Sequence, residues 1–204
     1  FTGKLGQTIA SKVVNAFDNG VIPNGWGTEN VDDEGNTPTA NQLIKDGVLI
    51  NYMLDRYTSR KIDPSLKETG SCRRESYRYV PTTRMTNTYI GNGTSTKEEI
   101  IKSVKKGIYC VSFTGGQVDP STDQFIFTSS AAYTIEDGKI GHLIKPVSLI
   151  GYGYEVLPNI EMVANDLERA PGVCGAASGS CYVEVGQPTL LVKKILVGGA
   201  GGNN

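Results

Sequence analysis

Four cysteines and a single histidine are the residues of this 204-residue chain best suited to metal or nucleophilic chemistry. Cys72, Cys110, Cys174 and Cys181 are widely spaced and form no CxxC pair, and the only histidine is His142. A zinc site with two histidine ligands therefore cannot be built from this chain alone. His142 follows a predicted turn and is expected to lie half-exposed on a hairpin strand.

Cys174 has the most suggestive surroundings of the four cysteines. It lies in the segment Pro171-Gly172-Val173-Cys174-Gly175, whose glycines let the main chain bring a thiolate close to a metal or a substrate. Spacing alone still favours a structural cysteine over a ligand. Cys110 alternates within an apolar strand and is expected to be buried. Cys72 and Cys181 lie in predicted loops without an activating neighbour, and with no sign of secretion we expect reduced thiols.

A segment of mixed cations and aromatics runs from Arg73 to Tyr79 and is followed by Arg84. Such interleaving can bind single-stranded nucleic acid, or it can form a surface loop. The net charge of −1 favours the loop. The acidic segment Asp32 to Gly35 resembles half of a calcium-binding loop but lacks the alternating ligands, so it is interpreted as a turn.

The elements that must position these residues are mainly strands. Hydrophobic residues make up 38% and charged residues 20% of the chain, which excludes a disordered or a membrane-spanning class. Asparagine or aspartate followed by glycine between apolar runs predicts three hairpin turns, at Asn19-Gly20, Asp46-Gly47 and Asp137-Gly138. No linker of low complexity divides the chain, so residues 1–204 are expected to form one domain.

One helix is clear over about 96–106. Ser95 or Thr96 can cap it, a glutamate three residues later closes a capping box, and Gly107 is expected to end it. A second helical turn is predicted near 153–161. The fold class is therefore a strongly β-rich α+β domain with a curled or barrel-like, mainly antiparallel sheet.

Several blocks of the sequence resemble the TldD/PmbA family, in the order that the family has them. They are Val31-Asp32-Asp33-Glu34-Gly35, Gly70 to Tyr77, Arg84-Met85-Thr86-Asn87-Thr88-Tyr89, Thr114 to Asp119, Asn165-Asp166-Leu167, Gly172-Val173-Cys174-Gly175 and Val185 to Leu190. The resemblance extends over nearly the whole chain. Members of this family have been labelled modulators of DNA gyrase and are understood as zinc metallopeptidases that act on unfolded or peptide-like substrates.

The resemblance implies a role for Cys174. In the family an HExxxH motif supplies two histidine ligands and a general base, and a distant carboxy-terminal cysteine completes the zinc ligands. Cys174 matches that cysteine, which places the chain nearer the metal-binding TldD branch than the PmbA branch. Cys72 stands where the family pattern has glycine, and the stretch from Ala176 to Cys181 also departs from it. A thiol at either position can add a ligand or simply pack.

The same resemblance sets the remaining expectations. The chain starts at Phe1 and contains no HExxxH, so it is expected to be the carboxy-terminal domain of a longer protein. The absence of a secretion signal and the expected reduced thiols favour the cytoplasm. Zinc would belong to the complete protein and would not be retained by this chain alone, which should be inactive. The candidate substrate-binding residues are Arg73, Arg74, Tyr77, Gly115 and Gly116.

The expected partners are an unfolded peptide and a second subunit, in a homodimer or in a heterodimer with a TldD/PmbA paralogue. No membrane and no nucleic acid are expected as partners. Two alternatives remain open. One is a non-catalytic module for dimerisation or substrate capture, and the other is a regulator associated with gyrase or nucleic acid.

Overall fold

The computed structural model describes residues 1–199 and consists mainly of strands. In chain order the strands are β1 (Ala16–Asn19), β2 (Ala40–Lys45), β3 (Val48–Leu49), β4 (Cys72–Arg73), β5 (Thr82–Thr83), β6 (Asn87–Ile90), β7 (Lys106–Asp119), β8 (Gln124–Glu136), β9 (Lys139–Ile144), β10 (Val147–Tyr152), β11 (Ile160–Val163), β12 (Glu168–Ala176), β13 (Gly179–Gln187), β14 (Leu190–Val192) and β15 (Leu196–Gly199). The helices are α1 (Arg56–Ile62), α2 (Lys97–Ser103) and α3 (Gly153–Val156), and a 3-10 turn (Leu157–Asn159) follows α3. The predicted β-rich α+β class is confirmed.

The first sheet contains six strands in the order β12-β13-β6-β1-β2-β3. Its pairs are antiparallel except β13 and β6, which run parallel with Glu184 opposite Asn87 and Gly186 opposite Tyr89. Since β12 is the first strand of this order, Cys174 lies on an edge strand. An edge strand presents main-chain N–H and C=O groups on its outer side, to which another chain can pair.

The second sheet is built on the long hairpin β7–β8 and has the order β15-β10-β8-β7, with β9 paired to the later half of β8. Two short pairs, β4–β5 and β11–β14, complete the strands. The sheets are mainly antiparallel, as predicted. Within residues 1–199 neither large sheet closes on itself, so the barrel-like alternative is not realised.

Two of the three predicted turns are confirmed. Asp46 and Gly47 have φ angles of 49° and 79°, and Asp137 and Gly138 have 44° and 74°, as a type I′ turn requires. A Cβ at Gly47 would lie 2.4 Å from the carbonyl oxygen of Ala10, so that position also needs glycine for space.

The hairpin predicted at Asn19-Gly20 is wrong. The Gly20 amide instead donates to the Thr39 carbonyl, and β1 pairs with β2 and β6. The chain therefore continues through a long loop at this point and does not reverse.

Helix α2 is confirmed at its start and is shorter than predicted at its end. Thr96 and Glu99 form the reciprocal capping box. The helix stops at Ser103 because the turn between β8 and β9 binds the following carbonyl groups. The Gly138 amide donates to the Val104 carbonyl, and the Asp137 amide donates to the Lys105 carbonyl. Gly107 accordingly lies in β7 and is not a cap.

Helix α1 was not predicted. Asp55 caps it, with Thr58 closing the box in place of the glutamate or glutamine that the usual pattern has. The helical turn predicted near 153–161 is confirmed by α3 and the 3-10 turn. None of the helices in the described residues has the length and apolar character needed to span a membrane.

The main hydrophobic core lies where the first sheet meets the β11–β14 pair. Its buried members are Ile9, Ala10, Val14, Ile44, Leu49, Ile160 and Val163. This core fixes β1, β2 and β3 and leaves the β12–β13 hairpin at the far edge of the same sheet. The hairpin must therefore be held by other contacts.

Candidate functional site

The β12–β13 hairpin carries two cysteines opposite one another. Cys174 and Cys181 are partners in the antiparallel register, so their side chains share one face of the hairpin. Cys181 is buried and Cys174 is half-buried, and both are free thiols. Ala177 and Ser178 form the turn, and Gly179 follows it with a φ of 86°. Of the two thiols, that of the half-buried Cys174 is the better placed to act as a metal ligand.

Arg84 holds this hairpin from inside the protein. Its Nη1 donates to Ser178 Oγ and to the Gly179 carbonyl, both at 2.7 Å. Its Nη2 donates to the carbonyl of Cys174. One guanidinium thus binds both strands and the turn between them.

Glu75 holds the same turn from the other side. Its amide donates to the Ser178 carbonyl at 2.9 Å, and its carboxylate accepts a hydrogen bond from the Ser180 amide at 2.7 Å. The segments around Arg84 and Glu75 are therefore fitted to the hairpin tip. This fit explains two of the sequence blocks noted above in physical terms.

The two predicted binding arginines are both engaged in internal ion pairs. Arg73 is buried, contacts Glu29 at 2.7 Å and donates to the Met85 carbonyl at 2.9 Å. The Arg74 guanidinium contacts Asp33 at 3.0 Å. Both guanidinium groups therefore join neighbouring segments of the chain.

A cleft of about 380 Å³ lies between this arginine segment and the hairpin. Its lining residues are Glu29, Arg73, Arg74, Glu75, Val173, Ser180, Cys181 and Tyr182. The structure therefore brings Arg73 and Arg74 together with the strand pair that carries Cys174. Tyr182 is exposed at this cleft and packs edge-on against Trp26, with ring centroids 5.2 Å apart.

The other predicted binding residues lie elsewhere. Tyr77 is 82% exposed, does not line the cleft and stacks only with Arg78. Gly115 and Gly116 are on β7 in the second sheet, opposite Thr128 and Phe127. The block Thr114 to Asp119, which contains both glycines, thus lies on a different sheet from the Cys174 hairpin.

The remaining thiols are poorly suited to be ligands. Burial raises the pKa of Cys72 to about 12, helped by the negative charges of nearby carboxylates, foremost Glu34. Burial also raises the pKa of Cys110. For Cys181 burial raises the pKa, although the positive charge of Arg84 acts against it. His142 lies on strand β9, as predicted, but is exposed where the sequence predicted a half-exposed side chain.

Sequence reasoning missed Arg84 and Glu75 as parts of the site. Both lie in blocks that were singled out, yet their partners are 90 and 105 residues away along the chain. The acidic turn was predicted correctly. Asp32 Oδ1 accepts the amides of Glu34 and Asn36, and Oδ2 accepts that of Cys72.

The described residues contain no complete metal site. Among residues 1–199, no group of three or more histidine, cysteine, aspartate or glutamate side chains is placed to hold an ion. Cys174 can offer a thiolate, which zinc accepts readily. The donor set therefore fits a contribution to a zinc site, and does not fit a complete one.

Comparison with known proteins gives a consistent result. Residues 1–199 match the family model described as the PmbA/TldA metallopeptidase C-terminal domain. A protein from Haemophilus influenzae named "Metalloprotease TldD homolog" is 46% identical over 201 residues, which are 98% of this chain and 41% of that protein. A "Zinc metalloprotease TldD homolog" from Saccharolobus solfataricus is 33% identical over 82% of this chain and 37% of its own length.

The solved structure of TldE from Thermococcus kodakarensis has the same fold. It superposes with a TM-score of 0.74 at 24% identity, covering 97% of this chain and 42% of that one. The chain thus spans about two-fifths of the length of the curated relatives it matches.

Proposed function

The chain belongs to the PmbA/TldA metallopeptidase C-terminal domain family, and from this premise we propose a specific role for it. It is the carboxy-terminal domain of a TldD-type zinc metallopeptidase that acts on unfolded or peptide-like substrates. The domain supplies the cysteine ligand and part of the peptide-binding surface. The two histidines and the general base come from an upstream HExxxH region that this sequence does not contain.

The observation that carries the proposal is the placement of Cys174. It is half-buried on the edge strand β12, next to a cleft, and Arg84 binds its main chain. A structural cysteine would be expected in the core, as Cys72 is. A ligand needs a fixed backbone and an accessible thiol, and Cys174 has both.

In the complete protein Cys174 would hold the metal together with the upstream histidines. Bound zinc polarises a peptide carbonyl and lowers the pKa of a water molecule. The residues of this chain hold the ligand strand in place and form the wall beside it. Because no group of three or more possible metal ligands lies together among residues 1–199, the chain by itself should retain no zinc and hydrolyse no peptide.

The substrate would bind along the edge of the first sheet. An extended peptide can add to an exposed edge strand through main-chain hydrogen bonds, and a chain that is unfolded offers those groups without distortion. A peptide on β12 would pass Cys174 and reach the cleft, where Tyr182 is exposed and Arg74 lines the opposite wall.

Metal analysis of the full-length protein tests the ligand. We expect about one zinc per chain in that protein, near zero in Cys174→Ala, and near zero in the 204-residue chain. Cys110→Ala is the matched control, because Cys110 lies on β7 in the other sheet. Full zinc content in Cys174→Ala would refute the proposal, and so would zinc-dependent peptide hydrolysis by the 204-residue chain.

Peptide binding tests the surface. The anisotropy of a fluorescent unfolded peptide should reveal binding to the 204-residue chain, and Tyr182→Ala should weaken it about tenfold, as loss of an exposed aromatic contact does. Tyr57→Ala serves as control, because Tyr57 is also well exposed but lies on α1 outside this cleft. Equal binding by both variants would remove the cleft from the proposal.

Assembly is a second function that a specific observation favours. The chain exposes 12,219 Å², whereas area scaling gives about 9,300 Å² for a compact monomer of this size. Large apolar residues are exposed on the second sheet, including Val111, Val118, Leu143 and Leu196. Exposed apolar residues gathered on one sheet are typical of interfaces, and we propose that a second subunit covers them, either a second copy or a TldD/PmbA paralogue.

Sedimentation equilibrium over a range of concentrations distinguishes these arrangements. A homodimer that Val111→Glu together with Leu143→Glu dissociates supports assembly through this sheet. If both the 204-residue chain and the full-length protein are monomers at every concentration when no paralogue is present, a heterodimer with the paralogue is the remaining arrangement. Failure of the paralogue to bind would then refute the assembly role.

A further inference from the structure

Arg84 does more than fill the interior beneath the hairpin. We infer that it is a positioning residue for Cys174, which fixes the direction of the thiol toward the metal. The inference rests on the proposed function, because it presupposes that Cys174 is a zinc ligand. It adds a residue that never touches the metal and yet sets the metal affinity.

The contacts of Arg84 are unusual for a buried cation. The residue is 4% exposed, and within residues 1–199 no carboxylate lies within 4.0 Å of its guanidinium. A buried arginine normally has an anionic partner. Here its hydrogen-bond acceptors on the hairpin are the oxygens of Cys174, Ser178 and Gly179. The burial of the charge therefore depends on the hairpin staying where it is.

The geometry links these contacts to the thiol. The carbonyl carbon and the Cβ of Cys174 are attached to the same Cα, so fixing the carbonyl restricts the direction of the Cα–Cβ bond and leaves Sγ only the few staggered positions about that bond. The guanidinium is a rigid plane, with Nη2 on Cys174 and Nη1 on the turn and on Gly179. It therefore sets the position of one strand relative to the other, which a lysine at the same place cannot do.

Groups that orient a metal ligand without binding the metal have a measurable effect. Their removal typically lowers metal affinity by about 10- to 100-fold. We expect a loss of this size for Arg84→Met in the full-length protein. Arg84→Lys keeps the charge and loses the planar fork, so its affinity should fall by about tenfold.

Two measurements on the full-length protein test the inference. Zinc affinity is obtained by competition with a chromophoric chelator. Substitution of zinc by Co(II) then reports the ligand directly, through the thiolate-to-cobalt charge-transfer absorption. Arg84→Met should weaken this absorption. Thr82→Val is the matched control, since the Thr82 hydroxyl donates to the same Ser178 Oγ at 3.1 Å but does not contact Cys174.

The outcomes separate the inference from its premise. If Cys174→Ser leaves the charge-transfer absorption unchanged, the proposed function fails. If Cys174→Ser abolishes it and Arg84→Met leaves both affinity and absorption at the wild-type level, the inference alone fails. An equal loss in Thr82→Val also overturns it, because the effect would then be a general loosening of the turn. Should Arg84→Met not fold, Arg84→Lys carries the test, and wild-type affinity in that variant overturns the inference.

Discussion

Asp18 and Thr86 are joined by two hydrogen bonds inside the first sheet. The Thr86 amide donates to Asp18 Oδ1 at 2.7 Å, and the Thr86 hydroxyl donates to Oδ2 at 2.9 Å. The Thr88 hydroxyl adds a third bond to Oδ1 at 2.6 Å. Because Asp18 lies on β1 and Thr88 on β6, the carboxylate fixes the strand against which the Cys174 hairpin packs.

Asp18→Ala should lower the free energy of unfolding by about 3 kcal/mol, because three donors lose their partner at a site that is 3% exposed. Thr88→Val removes only one of the three bonds and should cost about 1 kcal/mol. Urea unfolding followed by circular dichroism measures both. Equal effects for the two variants would contradict the assignment of Asp18 as the shared acceptor.

Gly179→Ala should destabilise the chain, whereas Gly175→Ala on the opposite strand of the same hairpin should not. Gly179 has a φ of 86°, and a Cβ there would lie 2.4 Å from the Cβ of Glu75. A Cβ at Gly175 would meet nothing within 4 Å. We expect a loss of about 1–3 kcal/mol for the first variant and under about 0.5 kcal/mol for the second. The thermal unfolding of the two variants is measured side by side. Equal destabilisation by both would show that any alanine in this hairpin is harmful and that the close contact at Gly179 is not the cause.

Local signals account for what the sequence predicted correctly. Thr96 and Glu99 are three residues apart, so the capping box that starts α2 can be recognised without knowledge of the rest of the fold. The same holds for the turns at Asp46-Gly47 and Asp137-Gly138. The similar Asn-Gly signal at Asn19-Gly20 did not give a hairpin, because the Gly20 amide donates to the carbonyl of Thr39 in a distant segment.

The candidate site depends on distant contacts to a greater degree. The glycines around Cys174 drew attention to it in the sequence, but spacing alone favoured a structural role, and its role as a ligand rests on the resemblance to the family. The parallel pairing of β13 with β6 could not be predicted, and neither could the bond from Arg84 to the Cys174 carbonyl 90 residues away. Hydrogen bonds to main-chain oxygens leave no mark on the residue type of the acceptor. Cys174 and Gly179, which accept through their main-chain carbonyls, therefore gave no indication of the arginine that holds them.

Cys72 should be inert toward thiol reagents in the folded chain. Burial and neighbouring carboxylates raise the pKa of its thiol to about 12, so it stays protonated at neutral pH, and it is 1% exposed. Alkylation with iodoacetamide at pH 8, read by peptide mass spectrometry, should modify Cys174 readily and Cys72 only in denaturant. Fast modification of Cys72 in the folded protein would show that the acidic loop around it opens.

The stability of the chain should fall with acidification partly through Asp55. Burial acts to raise the pKa of this carboxylate, but hydrogen bonds from Thr58 and Thr83 outweigh it and hold the pKa below the usual 3.8. Folding therefore favours the ionised form. The stabilisation is complete well above pH 3.8, and it is lost as the pH falls from about 5 through the lowered pKa of the folded state.

Asp55→Asn should make the free energy of unfolding, measured with urea, less dependent on pH over this window. The values for the wild-type chain and the variant should converge at the acid end. Asp63→Asn is the control, because the pKa of Asp63 is also lowered, by hydrogen bonds from Ser65, but its carboxylate lies in solvent. Screening by water should make its contribution small. If the Asp63 variant changed the pH dependence as much as the Asp55 variant, the buried contact between Asp55 and Thr83 would not be the source of the acid sensitivity.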